Sequence, residues 1–126
     1  MTDAISAYYD RQYNARAMIS DHAAIFERWK TRSQEARASL PCRLDIPYGT
    51  SPAERLDIFP AEGKSEALLV FIHGGYWRSL DKSDFSYLAP AFSRRGVTLA
   101  LPNYALCPTV GIEDIVKQNQ IGRAHV

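Results

Sequence analysis

The stretch "FIHGGYW", Phe71 to Trp77, completes the apolar run "ALLVFI". A strand that ends on one histidine, two glycines and two large aromatics gathers groups suited to acyl transfer. That chemistry needs donors aimed at the carbonyl oxygen that turns negative in a tetrahedral intermediate. Main-chain N–H groups serve if the backbone can come close and turn sharply. Gly74 and Gly75 allow both, because they lack a Cβ and tolerate positive φ. Beyond a buried strand, such a loop lies at the carboxyl edge of the sheet, where α/β proteins bind ligands. A glycine pair after a strand, taken alone, is more often a plain turn. His73, Trp77 and the strand–loop–helix setting favour the oxyanion reading.

Other reactive side chains read more plainly. Ser79, Ser83 and Ser86 are loop and cap serines, since none sits in a GxSxG elbow after a strand. His22 reads as a first-turn helix residue facing solvent. Cys42 and Cys107 have no CxxC or metal-ligand spacing and read as reduced, mostly buried thiols of a cytosolic protein. No metal or organic cofactor is expected.

These residues must be positioned by a single domain. The chain has 126 residues, 46% hydrophobic and 23% charged, with a net charge of +1. That balance disfavours nucleic acid and anionic membrane as partners. No apolar stretch reaches membrane-span length, and the start "MTDAISAYYD" lacks the pattern of a secretory signal. The expected location is cytoplasmic.

The spacing predicts two leading helices, near Ala4 to Tyr13 and from His22 to Ser39. The second is capped by Ser20 or Asp21, carries a stripe of Ile25, Phe26, Trp29, Ala36 and Leu40, and stops at Pro41. "CRLDIPY" alternates, placing Leu44, Ile46 and Tyr48 on one half-buried face, and "RLDIF" alternates again after the turn "GTSP". The two form an antiparallel pair. "ALLVFI" is apolar on both faces and reads as a covered, central strand. A helix from Lys82 to Arg95 follows, capped by Asp81 or Ser83, bent by the internal Pro90 and stopped at Gly96. "VTLAL" is a further buried strand, and a last helix begins at Thr109 with Glu113 and Asp114 near its positive end. Strand, helix and strand in succession argue for an α/β fold with a parallel sheet.

Three stretches carry a family resemblance: "QYNARA" with "DHAAIFERW", "HGGYWRSLDKSDFSYLAP", and "PNYALCP". The chain resembles α/β-hydrolases, and within them the arylformamidase (kynurenine formamidase) type of esterase. Lipases and esterases form their oxyanion hole on an HGGG-type loop after the third strand; here Tyr76 replaces the third glycine and Trp77 follows. The resemblance implies the amino-terminal part of the hydrolase sheet, β1-β2 antiparallel, then β3-αA-β4-αB, behind two leader helices. It implies oxyanion N–H groups from Gly75 and Tyr76, with Gly74 shaping the turn. His73 would brace the loop rather than act as the catalytic base. Asn103 and Tyr104 would hold the loop from the neighbouring strand. Trp77 and the leader helix would wall a pocket for an aryl group, although ordinary packing suits Trp29 and Phe26 better. The implied substrate is a small N-formyl or aryl amide or ester, and a homodimer of the longer parent is compatible with the reading.

The serine elbow, the acid and the catalytic histidine have no counterpart in the sequence. Residues 1–120 are therefore expected to form a partial domain, with 1–41 a helical leader and 42–120 the first four strands and helices, inactive alone. A general short-chain carboxylesterase and a non-catalytic interaction fragment are the alternatives. The final "IGRAHV" matches the translation of a common sequencing adapter in a frame that requires Lys, Gln, Glu or a stop at codon 120, and Gln120 satisfies it. Residues 121–126 are set apart as non-native on that ground, and Gly122 sits awkwardly for a helix interior. The implied sheet order, 1-2-4-3-5 onward, would leave "ALLVFI" as an open, aggregation-prone edge wherever the fifth strand is absent.

Overall fold

The computed structural model describes residues 2–124. Three helices, α1 (Thr2–Tyr13), α2 (Ala15–Met18) and α3 (His22–Ser39), precede strands β1 (Arg43–Pro47), β2 (Arg55–Phe59) and β3 (Ala67–Val70). A 3-10 helix (Lys82–Leu88) runs into α4 (Ala89–Ser93), followed by β4 (Val97–Pro102) and α5 (Ile112–Ala124). The sheet order is β1-β2-β4-β3: β2 lies antiparallel to β1 and β4, and β3 is parallel to β4. This is the expected α/β arrangement, with α2 an addition that the spacing did not reveal.

β4 is the buried spine. Leu99 and Leu101 are fully covered and join Phe59, Phe85 and Ala89 in the core, with Trp29, Leu69 and Phe71 against it. α3 brings Trp29 onto Tyr87 (stacked, 5.8 Å) and Phe85 (5.6 Å), so the leader packs on the 3-10 helix. Ser33, also on α3, accepts the Tyr87 N–H at 3.1 Å.

Several local expectations are corrected. Asp21 stands at the N-cap of α3 without a side-chain capping bond, and His22 is half-buried with Nδ1 2.9 Å from the Ile19 carbonyl oxygen. In β1 the alternation fails: Leu44 is exposed, because the pairing with β2 shifts between Arg43 and Ile46 and Asp45 takes φ +55°. A bulge of this kind inserts a residue and flips the following side chains. β3 is not central. It ends at Val70, though Phe71 N–H still donates to Ala100 O at 2.9 Å, and it forms the sheet edge with Leu68 half exposed.

The single helix from Lys82 to Arg95 is two pieces. Pro90 has no N–H for an α-type bond back to Ser86, and the Ser86 carbonyl is taken at i+3 by the Ala89 N–H. Pro90 thus sits in the first turn of α4, where proline is tolerated. Gly96 ends that unit at φ +74°. α5 begins at Ile112 rather than Thr109, and Gly111 N–H is accepted by Asp114 at 3.1 Å. Gly122 continues the helix, buried under the Tyr48 ring, where an added Cβ would lie 3.2 Å from the ring carbon Cζ.

Candidate active site

Three residues beyond β3 the chain passes the buried His73 and enters a left-handed turn. Gly75, Tyr76 and Trp77 have φ +123°, +52° and +58°, and Leu80 has +72°. Three non-glycine residues in that region cost roughly 1–2 kcal/mol each, so the surrounding structure must hold them there. The Gly75 carbonyl accepts from Arg78 N–H (3.2 Å), Ser79 N–H (3.1 Å) and Ser79 Oγ (2.9 Å). The Trp77 carbonyl accepts from Cys107 N–H at 2.7 Å, which ties the loop to the segment after β4.

His73 anchors the base of the turn. Its ring stacks on Tyr104 (4.3 Å, 12°) and lies parallel to Phe85 (5.8 Å, 13°). Nδ1 lies 2.8 Å from the Gly74 carbonyl oxygen and Nε2 lies 3.1 Å from Asn103 Oδ1. Tyr104 donates its hydroxyl to the His73 carbonyl at 2.6 Å. Burial raises the Tyr104 pKa, so the phenol keeps the proton it donates.

Asn103 organises a second layer. Its Oδ1 accepts from Lys82 N–H at 3.3 Å, its Nδ2 donates to Asp81 at 2.7 Å, and its own N–H donates to Arg55 O at 2.8 Å. Tyr48 donates to the Asn103 carbonyl, and burial, aided by Glu54, pushes its pKa up to about 12. Burial works against a charge on Asp81, yet hydrogen bonds from Ser83 and Asn103, with Lys82 nearby, outweigh it and hold the carboxyl below its usual 3.8. A depressed carboxylate contributes stability above its unfolded value and loses it as pH falls through the folded one. The melting-temperature gap between wild type and Asp81→Asn should therefore stay constant from neutral pH to about 4 and shrink below. A gap independent of pH down to 2 would deny Asp81 this role.

The sequence-predicted residues come together. His73, Gly74, Gly75, Tyr76, Trp77 and Tyr104 line one cavity of about 340 Å³, with Asn103 behind His73. A second, of about 300 Å³, shares His73, Trp77 and Tyr104 and extends to Ile115 and Asn119 of α5. No residue of α3 lines either cavity, and the residues that accompany Trp77 in the second come in part from α5. Tyr76 and Trp77 are exposed, and Cys42 and Cys107 are half-buried.

The N–H groups of Gly75 and Tyr76 donate to no atom among the described residues, whereas the carbonyls of the same two peptides, on Gly74 and Gly75, are both contacted. Such adjacent, unengaged donors on a braced turn are suited to receive developing negative charge. Sequence reasoning passed over Lys82, Asp81 and Ser79 as elements of this brace. Only Asp81 had a local signal, as a helix cap. Among the described residues no group of three or more His, Cys, Asp or Glu could hold a metal ion, and no helix is long and apolar enough to cross a membrane.

The strand order and the parallel β3–β4 step match the α/β-hydrolase fold of solved esterase and thioesterase structures. Esterase B of Lactobacillus rhamnosis shares it at TM-score 0.60 and 17% identity, over 85% of this chain and 38% of that one. A Silicibacter protein assigned as a thioesterase superposes at TM-score 0.86 with 36% identity, over 90% of this chain and 44% of its own. Among curated proteins the chain is similar to kynurenine formamidases. The kynurenine formamidase of Danio rerio is 29% identical over 91 residues, covering 71% of this chain and 31% of that protein. The chain thus spans about a third of the length of this curated relative. No family model matches the chain.

Proposed function

We propose that this chain carries the oxyanion-binding half of a serine hydrolase of the arylformamidase type. The observation that carries the reading is the pair of unengaged N–H groups on Gly75 and Tyr76, held on a strained turn beside exposed aromatics. In the proposed reaction a serine attacks the carbonyl of an N-formyl aryl amide or ester, and the oxygen that becomes negative is received by the two N–H groups. His73 shapes the turn. Both its nitrogens face protein oxygens and its ring is buried between Phe85 and Tyr104, which suits a brace and not a proton shuttle. Trp77 and Tyr76 border the aryl side of the pocket.

The serine, its acid and its base belong to the length that the relatives have and this chain does not span. The chain alone then has no turnover, because an oxyanion hole without a nucleophile stabilises a charge that never forms. Residues 121–126 carry no role in this reading, and long-read sequencing across codon 120 tests whether they are native.

Likeness to a protein assigned as a thioesterase makes an ester-type substrate the second reading. The longer protein should be labelled by a fluorophosphonate and should turn over N-formylkynurenine at least tenfold faster, in kcat/KM, than p-nitrophenyl acetate. The reverse preference would select the short-chain esterase reading, and absence of labelling and turnover would reject both.

A further inference from the structure

The leader motif "QYNARA" has no part in the chemistry above, yet it reaches the same loop. Asn14 caps α2 by accepting the Ala17 N–H at 3.1 Å. Arg16, on α2, lies over the Phe26 ring at 5.3 Å and donates to Ser79 Oγ at 3.3 Å. Ser79 Oγ in turn donates to the Gly75 carbonyl at 2.9 Å, the only side-chain donor of the three that this carbonyl receives. The ion pairs among the described residues are both made by Lys82, so no carboxylate neutralises Arg16.

We propose that Ser79 is a positioning residue for the Tyr76 N–H, and that Arg16 of the leader holds Ser79 in this role. The Gly75 carbonyl and the Tyr76 N–H are two ends of one peptide. Donors on the carbonyl fix the plane of that peptide and polarise it, which strengthens the N–H as a donor on the far side. A guanidinium behind the hydroxyl reinforces this, since hydrogen bonds from a charged donor are stronger. The contribution of Arg16 is smaller than that of Ser79, because the arginine is exposed and its field is screened by salt. The leader is thereby a strap on the oxyanion turn as well as a cover for the 3-10 helix.

This inference rests on the oxyanion reading of the loop, and the test separates the two. In the longer protein, Ser79→Ala should lower kcat by about tenfold with KM within about twofold, less than the 10²–10³ lost when an oxyanion donor is removed outright. Ser79→Thr, which keeps the hydroxyl, should restore most of kcat. Arg16→Ala should lower kcat by about threefold, an effect that fades near 1 M salt. Wild-type kcat in a folded Ser79→Ala protein overturns the proposal. The second readout is the Tyr76 amide proton in 15N-labelled protein, which needs no turnover. It should move upfield in Ser79→Ala while the amides of β2 and β4 stay in place. An unmoved Tyr76 amide overturns the relay even if wild type is active. A shifted amide in a protein that no fluorophosphonate labels supports the relay and rejects the hydrolase reading.

Discussion

Gly75→Ala in the longer protein should reduce turnover by about 10²–10³, the loss seen when one oxyanion donor is removed. A Cβ at Gly75 collides with the main-chain oxygen of Ser79, and the position has φ +123°, which side chains rarely adopt. The turn must open, and opening it displaces the Tyr76 N–H. Gly74→Ala is the informative contrast. There an added Cβ meets nothing within 4 Å and φ is not positive. Its stability should stay within about 1 kcal/mol of wild type, and its turnover should fall far less than that of Gly75→Ala. Steady-state kinetics with thermal melts on both variants decide the point. Equal losses from the two glycines would mean that the left-handed turn is not what the site requires.

Lys82→Met should be the most destabilising single change, by about 3–5 kcal/mol, because it leaves a buried carboxylate without its partner. Lys82 Nζ lies 2.7 Å from both Asp57 and Asp45, and the Asp57 side chain is 1% exposed whereas that of Asp45 is 72% exposed. The buried Asp57 pair therefore dominates, and the exposed Asp45 contact adds little. Asp57 Oδ1 also accepts the Asp45 N–H at 2.8 Å, so one carboxylate fixes both the lysine and the bulge in β1. Adding Asp57→Asn to Lys82→Met removes the stranded charge and should recover more than half of the loss, read by urea denaturation. Burial works against the Lys82 charge, but its bonds to Asp45 and Asp57 outweigh burial and raise its pKa above 10.5. Its contribution is therefore present below pH 10.5 and lost as pH rises through the higher folded value. A Lys82→Met protein as stable as wild type at pH 7 would remove the cluster from the account.

What could be read from the sequence was what local pattern determines. Trp29 on the α3 stripe and the apolar run of β4 each follow from periodicity and lie where expected, whereas the alternation of β2 fails, because Asp57 is buried and Ile58 only half-buried. The glycine pair alone reads as a plain turn, and the loop from His73 to Trp77 stood out only through its flanking histidine and tryptophan and the strand–loop–helix setting. The β1 bulge was not legible, since Asp45 adopts φ +55° in the presence of Asp57 and Lys82, 12 and 37 residues away in sequence. Lys82 entered only as the first residue of a helix, and only the folded hairpin brings the carboxylates of Asp45 and Asp57 to it. The link between His73 and Asn103 came through family resemblance and not through spacing, because 30 residues separate them. Ser79 read as a loop serine, which it is; its hold on the Gly75 carbonyl exists only once the left-handed turn closes.

The most direct measurement follows the amide protons of Gly75 and Tyr76 while a fluorophosphonate reacts with the 15N-labelled longer protein. The phosphonyl adduct places a negatively polarised oxygen where the tetrahedral intermediate would carry one. Both amide protons should move downfield as a serine is labelled, with little change elsewhere in β2 and β4. Labelling that leaves both amides unmoved would show that the oxyanion is held elsewhere and that "HGGYW" is a structural turn.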